Sequence, residues 1–287
     1  MKATRTLYPY ILSRHSIRSY KQKPLEEMDC LVVKEILGSI KPLFSENRFE
    51  VILKDRRLEE NIPRILGAYG RLIIAPHYLV PYLAGNKMPL VDLGFRVEQI
   101  AVHLWAAGIG TCYIGCISRI DKVREILDLS KDSWIGAFLV LGYPANGFGL
   151  QTITSVMKRV IGSNGRKPVE EIFFMDSFTQ PATPPMEWRD VIEAARFAPS
   201  AVNAQPWRLL LSKRNLYLFV LRNNRKYYFS ANQDYCFYDG GICMANMELA
   251  LDSQSIKHQW HLYTEDFESC PPHPDSLFPI ARLSLSE

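Results

Sequence analysis

The chain has 287 residues and a formal net charge of +4, with 47% apolar and 22% charged residues. This length allows one large domain or two modest ones, and the composition is ordinary for a globular protein. The small, dispersed positive charge does not favour nucleic acid, and no apolar run is long enough to span a bilayer. Six cysteines without a Cys-x-x-Cys pair, and histidines without a His-x-x-x-His pair, favour reduced thiols, a cytoplasmic location and no metal site.

A cluster of cationic and polar side chains lies near the start of the chain, at Ser13–Tyr20. An extended backbone would place Arg14, Ser16 and Arg18 on one side, and a helical turn would bring Arg14 and Arg18 together. In either conformation two guanidiniums and a hydroxyl suit a multiply charged oxyanion. The alternative interpretation is a solvated basic turn.

The middle of the chain alternates between helical and strand-like patterns. The predicted elements are a helix at 25–40, a strand at 49–53, a strand within 71–83 and a doubly buried strand at 135–141. Asp92 is a predicted N-cap for a long apolar helix, which Gly108 and Gly110 are expected to end. A polar, glycine-containing loop follows at 162–167.

The second part of the chain repeats this order of patterns after a proline-rich stretch at 179–185. The predicted elements are a helix at 186–197, strands at 208–211 and 216–221 joined by a tight turn, a long helix ending at Leu251, and closing strands at 257–263 and 279–285. Asp239-Gly240-Gly241 opens the long helix, as Asp92-Leu93-Gly94 does 147 residues earlier. This similarity indicates an internal duplication.

The connection between the helix at 186–197 and the strand at 208–211 has the composition of a ligand loop. Pro199 and Pro206 restrict the backbone, while Ser200 and Asn203 offer short polar side chains to a ligand or to the loop itself. Trp207 is expected to anchor the loop in apolar packing. The alternative is an ordinary helix-to-strand connector.

Four motifs together resemble the nitroreductase family of flavin mononucleotide (FMN) enzymes. They are the Arg-x-Ser-x-Arg motif at Arg14–Arg18, the Pro-Ser-x-x-Asn-x-Gln-Pro-Trp loop at Pro199–Trp207, the glycine turn at Gly108–Gly115 and Arg166-Lys167-Pro168. The resemblance implies an α+β fold, with a mainly antiparallel sheet flanked by helices in each of two halves related by a pseudo-two-fold axis.

The motifs are divided between two expected halves, residues 1–177 and residues 178–287. The first half holds the phosphate and flavin motifs, and the second holds the loop with Pro199 and Asn203. In the family a flavin lies between two subunits, so the resemblance implies one flavin site per chain, formed between the halves. It also implies a monomer that mimics a dimer, or a weak homodimer.

The resemblance assigns roles to thirteen residues. Arg14 and Ser16, with Arg166 and Lys167, would hold the phosphate, and His15 would lie beside the ribityl–phosphate region. Arg18 would reach the pyrimidine edge, where positive charge favours the anionic reduced flavin. The residues expected to line the ring are Tyr113, Ile114 and Gly115 on one side and Pro199, Ser200, Ala201 and Asn203 on the other. Tyr113 and Ile114 could instead be ordinary core residues, and Arg166-Lys167 a solvated loop.

The implied function is an FMN-dependent NAD(P)H oxidoreductase that reduces a small-molecule acceptor, such as a nitroaromatic or a quinone, in a ping-pong cycle. The flavin carries the hydride, so no catalytic side chain is expected. Two alternatives remain open: a non-catalytic FMN-binding or sensing protein, and a related flavin chemistry such as reductive dehalogenation or flavin modification.

Overall fold

The computed structural model describes residues 6–55, 66–116, 120–145, 165–222, 235–263 and 270–285. The chain divides into two compact units. The central unit is Ser13–Asn164, and the flanking unit combines Met1–Leu12 with Gly165–Glu287. No helix in the described parts of the chain is both long and apolar enough to cross a membrane.

The central unit is built on an antiparallel sheet in the order β1-β2-β5-β3, with β4 also paired to β2. After α1 (Tyr8–Ser13) its elements are α2 (Glu27–Gly38), β1 (Arg48–Asp55), α3 (Gly67–Leu72), β2 (His77–Ala84), α4 (Pro89–Ala106), β3 (Gly110–Gly115), α5 (Ile120–Ile126), β4 (Ser133–Ile135) and β5 (Ala137–Gly142). Every residue of β5 is buried, as its apolar run predicts, although Gly136 separates this strand from β4.

The long helix α4 ends as predicted but begins differently. Gly108 has a positive φ of 81° just after the helix, which a glycine adopts without strain, and Gly110 is instead the first residue of β3. The N-cap position is Met88, and Pro89 occupies the first turn. The N-cap prediction for Asp92 is therefore wrong, because its carboxylate is buried inside the helix and accepts hydrogen bonds from neighbouring segments.

The flanking unit contains a second five-stranded sheet, in the order β6-β7-β8-β10-β9. Its elements are β6 (Phe173–Met175), α6 (Arg189–Phe197), β7 (Trp207–Ser212), β8 (Asn215–Leu221), α7 (Tyr235–Ser253), β9 (His258–Leu262) and β10 (Leu277–Leu285). Lys213 and Arg214 both have positive φ, so the predicted tight turn is a two-residue type I′ hairpin. Asp239 lies inside α7 rather than at its start, so the prediction that it opens this helix is also wrong.

The boundary between the units differs from the expected division at 177/178. Residues 173–175 pair parallel with β7, so this short segment belongs to the second sheet. Residues 165–172 lie in the same unit, and so do residues 6–12, whose Leu7 N–H donates to Ser253 Oγ at 2.9 Å. The stretch at 179–185 consequently lies within one unit, between β6 and α6, and does not separate two.

The two units share one topology. The order β1-β2-β5-β3 in the central unit corresponds to β7-β8-β10-β9 in the flanking unit, and in each case a long helix connects the first hairpin to the last two strands. β6 has no counterpart among the described strands of the central sheet, and β4 has none among those of the flanking sheet. This correspondence supports the internal duplication that the sequence indicates.

Candidate functional site

The Arg14–Tyr20 segment follows α1 and runs beside β3 in the central unit. Ile17 N–H donates to the Thr111 carbonyl at 2.9 Å, and Tyr20 forms an antiparallel bridge with Pro144. The segment is neither a helical turn nor a regular strand. Its backbone is nevertheless bonded to the edge of the sheet at Ile17 and Tyr20, which positions the backbone of the cationic motif.

Arg14 is the most constrained residue of this motif, with only 4% of its surface exposed. Its Nε lies 3.4 Å from Oε1 of Glu98, a fully buried residue of α4. The Tyr113 hydroxyl donates to Oε2 of the same carboxylate at 2.7 Å. Arg14 Nη1 is buried and has no hydrogen-bond partner among the described residues. The solvated-turn interpretation therefore does not apply to Arg14.

Ser16 and Arg18 both influence the buried thiol of Cys112, on β3. Burial raises the pKa of this thiol, while the charge of Arg18, a hydrogen bond from Ser16 and the charge of Arg14 partly oppose the rise. Arg14, Ser16 and Arg18 therefore all lie within electrostatic or hydrogen-bonding range of one thiol. His15 points elsewhere: it is exposed, with its ring edge-to-face against Trp105 at 4.9 Å.

The strand β3 carries the three residues predicted to pass over the flavin. The Ile114 side chain is buried in the core of the central unit, and the residue pairs with Phe138 of β5. The Thr111 carbonyl points away from β5 towards Ile17, and alternate residues of a strand direct their polar groups to the same edge. The backbone groups of Tyr113 and Gly115 therefore face the edge of β3 opposite β5.

The Pro199–Trp207 loop lies in the flanking unit and has an unusual backbone. Val202, Asn203 and Gln205 all have positive φ, between 47° and 54°, which for a β-branched valine is a strained conformation. Hydrogen bonds hold the loop in shape: Gln205 N–H donates to Ser200 Oγ at 2.9 Å, and Ala201 N–H donates to the Asp239 carboxylate at 3.0 Å. The loop is therefore more than a relaxed connector.

Arg166 and Lys167 are brought to this loop in the flanking unit. Arg166 donates from Nη1 to the Ala198 carbonyl at 2.7 Å and from Nη2 to the Phe197 carbonyl at 2.6 Å. The Lys167 N–H donates to Gln205 Oε1 at 2.8 Å, and its ammonium pairs with Glu171. These contacts order the dipeptide, so it is not a free solvated loop.

The predicted site residues thus form two clusters. The central cluster contains Arg14, Ser16, Arg18 and β3, and the flanking cluster contains Arg166, Lys167 and the loop at 199–207. Sequence reasoning missed Glu98 and Asp239 as the carboxylates that organise them. The available signal for Glu98 was a lone acidic residue on the predicted apolar helix, between Val97 and Ile100.

The donors of the central cluster fit a phosphate-bearing group. A buried guanidinium whose Nη1 has no partner among the described residues is suited to donate a hydrogen bond to a phosphate oxygen. Arg18 and the Ser16 hydroxyl influence the same buried thiol as Arg14. The arrangement is therefore chemically compatible with the phosphate end of FMN.

Two helix-flanked, mainly antiparallel sheets of similar topology define an α+β, nitroreductase-like fold. The model of the family described as "Putative TM nitroreductase" matches residues 6–250. The chain belongs to this nitroreductase family, which confirms the resemblance seen in its motifs.

The fold and the sequence each have named relatives. The crystal structure described as a "putative nitroreductase" from Thermotoga maritima MSB8 has a TM-score of 0.59 at 18% identity, over 99% of this chain and 96% of that chain. A Staphylococcus aureus protein (strain bovine RF122 / ET3-1) described as "NADPH-dependent oxidoreductase" is 26% identical over 49% of this chain and 65% of its own length. The counterpart in strain USA300 is 25% identical over the same shares. The chain therefore spans about two thirds of the length of these relatives.

Proposed function

We propose that the protein is an FMN-dependent NAD(P)H oxidoreductase that binds one flavin per chain. The observation that carries the proposal is the buried guanidinium of Arg14, whose Nη1 lacks a partner among the described residues although Glu98 lies at its Nε. A buried donor without an acceptor costs roughly 1–3 kcal/mol, which a phosphate oxygen would offset. Membership of the nitroreductase family supports the same assignment.

Arg14 and Ser16 would bind the phosphate, and Arg18 would place positive charge near the pyrimidine edge of the ring. From the resemblance, Arg166 and Lys167 add phosphate contacts, His15 lies near the ribityl chain, and the residues lining the ring are Tyr113, Ile114, Gly115, Pro199, Ser200, Ala201 and Asn203. The geometry supports Ile114 least, because its side chain is in the core and its backbone groups point to β5.

Bound FMN would accept a hydride from NAD(P)H and pass it in a second, ping-pong step to a small acceptor such as a nitroaromatic or a quinone. The Staphylococcus aureus relatives are described as NADPH-dependent, so NADPH is the first reductant to test. The chain's own contribution is to bind and orient the cofactor. Arg18 would make reduction easier by stabilising negative charge.

The direct test is the absorption spectrum of the purified full chain, followed by quantification of released flavin. One FMN per chain is expected, and reduction under anaerobic conditions should follow addition of NADPH or NADH. Reoxidation by a quinone or a nitroaromatic would complete the cycle. Absence of flavin binding would overturn the proposal, and two flavins per chain would contradict a single site. Bound flavin that neither nucleotide reduces would instead identify a non-catalytic flavin-binding protein.

Arg14→Ala tests the residue on which the proposal depends. Loss of charge-assisted hydrogen bonds worth roughly 1.5–3 kcal/mol should weaken FMN binding by about ten- to a hundredfold. Arg48→Ala is the matched control, because Arg48 lies in the same unit with 75% of its side chain exposed. Flavin fluorescence titration measures both affinities, and equal affinities would remove Arg14 from the site.

A further inference from the structure

We propose that Glu98 is the positioning residue for Arg14, and that it directs the arginine to the phosphate of the cofactor. This inference rests on the proposed function and adds to it a residue that the cationic motif does not contain. Glu98 would touch neither the flavin nor the electron acceptor. It would act only through Arg14.

The geometry of the pair leaves one edge of the guanidinium available. Glu98 Oε1 lies 3.4 Å from Nε of Arg14, an ion-pair contact without a hydrogen bond, at the side of the guanidinium nearest its aliphatic stem. Nη1, at the far end, is buried and lacks a partner among the described residues. Turning the planar guanidinium would lengthen this ion-pair contact, which therefore favours the observed direction of the Nη groups.

Glu98 is itself held in place. Its Oε2 accepts a hydrogen bond of 2.7 Å from the Tyr113 hydroxyl, and its surface is entirely buried. Burial disfavours a charged carboxylate, and the neighbouring guanidinium favours it. The order of contacts is thus Tyr113 on β3, Glu98 on α4 and Arg14 after α1, and each member restricts the next.

Glu98 also balances the charge of Arg14 while no ligand is bound. An uncompensated guanidinium at 4% exposure would be strongly disfavoured, so without Glu98 the side chain would turn towards solvent. The carboxylate therefore keeps the arginine buried and preorganised. A preorganised donor loses less conformational entropy when it binds an anion.

The test separates phosphate recognition from ring binding. Dissociation constants for FMN and for riboflavin, which lacks the phosphate, are measured on the flavin-free full chain by fluorescence titration. Glu98→Gln keeps the shape and an acceptor for Tyr113 but removes the charge that holds Arg14. It should lower the preference for FMN over riboflavin by about tenfold, the equivalent of one charge-assisted bond. Riboflavin affinity should change little.

Tyr113→Phe is the second variant, in case Glu98→Gln fails to fold. It removes the hydroxyl that fixes Glu98, and it should lower the same preference by about threefold, as expected for one modest hydrogen bond. A direct effect of Tyr113 on the ring would change both affinities equally, so the ratio reports only on the phosphate.

Glu248→Gln is the matched control, because Glu248 is also a mostly buried helix glutamate that accepts a hydrogen bond from an aromatic side chain. It lies in the flanking unit and should leave the ratio unchanged. If Arg14→Ala abolishes the preference for FMN but Glu98→Gln does not lower it, the positioning role is wrong and the proposed function stands. If the wild-type chain binds neither flavin, the proposed function itself fails.

Discussion

The long helix of each unit carries a glutamate that accepts a hydrogen bond from an aromatic side chain on the following strand. In the central unit Glu98 accepts from the Tyr113 hydroxyl and faces Arg14. In the flanking unit Glu248 accepts from Trp260 Nε1 at 3.0 Å and lies 2.6 Å from His258 Nε2. The two arrangements are alike in their parts but differ in the cation.

The chemistry of the cation separates the two arrangements. An arginine stays charged at any physiological pH, whereas a histidine titrates. His258 Nδ1 lies 2.8 Å from the Ile256 carbonyl, and its Nε2 faces a carboxylate, so both nitrogens have acceptors and both must donate. The hydrogen bond to Glu248 raises the pKa of His258, with burial opposing the rise and Ile256 and Asp252 adding to it.

The two arrangements differ in whether the cation has all its donors satisfied. His258 uses both ring nitrogens within the protein, so this cation is fully occupied by internal partners. Arg14 has a buried nitrogen that the described residues do not satisfy. A duplicated fold thus contains one carboxylate arrangement suited to holding a ligand-binding cation and another that only ties a helix to a strand.

The largest expected effect on the free energy of unfolding comes from a second pair of helix carboxylates, Asp92 and Asp239. Asp92 accepts from Leu43 N–H and Asn47 Nδ2, and it pairs with Arg96 at 2.9 Å. Asp239 accepts from Ala201 N–H, so each aspartate holds the loop that precedes the first hairpin of its unit. Asp92→Asn should cost about 3–5 kcal/mol, because it leaves Arg96 buried without a counter-charge.

Asp239→Asn should cost only about 1 kcal/mol, because an amide oxygen can still accept from Ala201. Urea unfolding of both variants measures the difference. If the two variants lose equal free energy of unfolding, the ion pair between Asp92 and Arg96 adds no stability beyond the hydrogen bonds to the loop. The expected difference between the two aspartates would then be wrong.

An effect of intermediate size is expected in the pH dependence of stability, which separates the histidine of the flanking unit from the arginine of the central unit. The folded pKa of His258 lies above its ordinary value of about 6.5, so its stabilising charge is fully present below that value. It is lost as pH rises through the folded pKa. Glu248→Gln should therefore lower the free energy of unfolding by about 1.5 kcal/mol at pH 6 and by less at pH 9.

Glu98→Gln gives the contrast. An arginine side chain keeps its charge throughout this range, so the loss of stability caused by Glu98→Gln should be the same at pH 6 and pH 9. Denaturant unfolding at the two pH values measures both variants. A pH-independent difference between wild type and Glu248→Gln would show that His258 does not carry the charge.

The smallest expected effect concerns the loops that the aspartates hold. Val202, in the flanking loop, has a φ of 47°, whereas no residue of the fully described segment 41–47 has a positive φ. Val202→Gly should relieve strain and raise the free energy of unfolding by up to about 1 kcal/mol, after the added entropy of the unfolded chain is counted. A loss of stability in urea unfolding would mean that side-chain packing outweighs the strain.

Much of the fold could be predicted because periodicity and turn residues are local signals. The helix at 25–40, the hairpin around Lys213 and the buried strand at 135–141 all depend on neighbours in sequence. The boundary could not be placed, because β6 has only three residues and is defined by its pairing with β7. Asp92 and Asp239 resembled helix caps because the sequence does not show which polar residue will be buried.

The sequence predicts candidate site residues but not their organisation. Arg14, Ser16 and Arg18 were proposed from their spacing, and all three influence the Cys112 thiol. The contact between Arg14 and Glu98 joins residues 84 positions apart and depends on how α4 packs against the segment after α1. The placement of Arg166 beside Phe197 likewise depends on tertiary structure, so spacing alone assigned it to the other unit.

The hydrogen bonds of Leu7 and Tyr8 have a consequence for how the protein is made. Leu7 N–H donates to Ser253 Oγ, and the Tyr8 hydroxyl donates to Asp190. The hydrogen-bond partners of these early residues are therefore synthesised much later than the residues themselves. Residues 13–164 can collapse during synthesis, while residues 6–12 must wait. A gene fragment that starts at codon 165 would therefore yield a domain lacking one of its own helices.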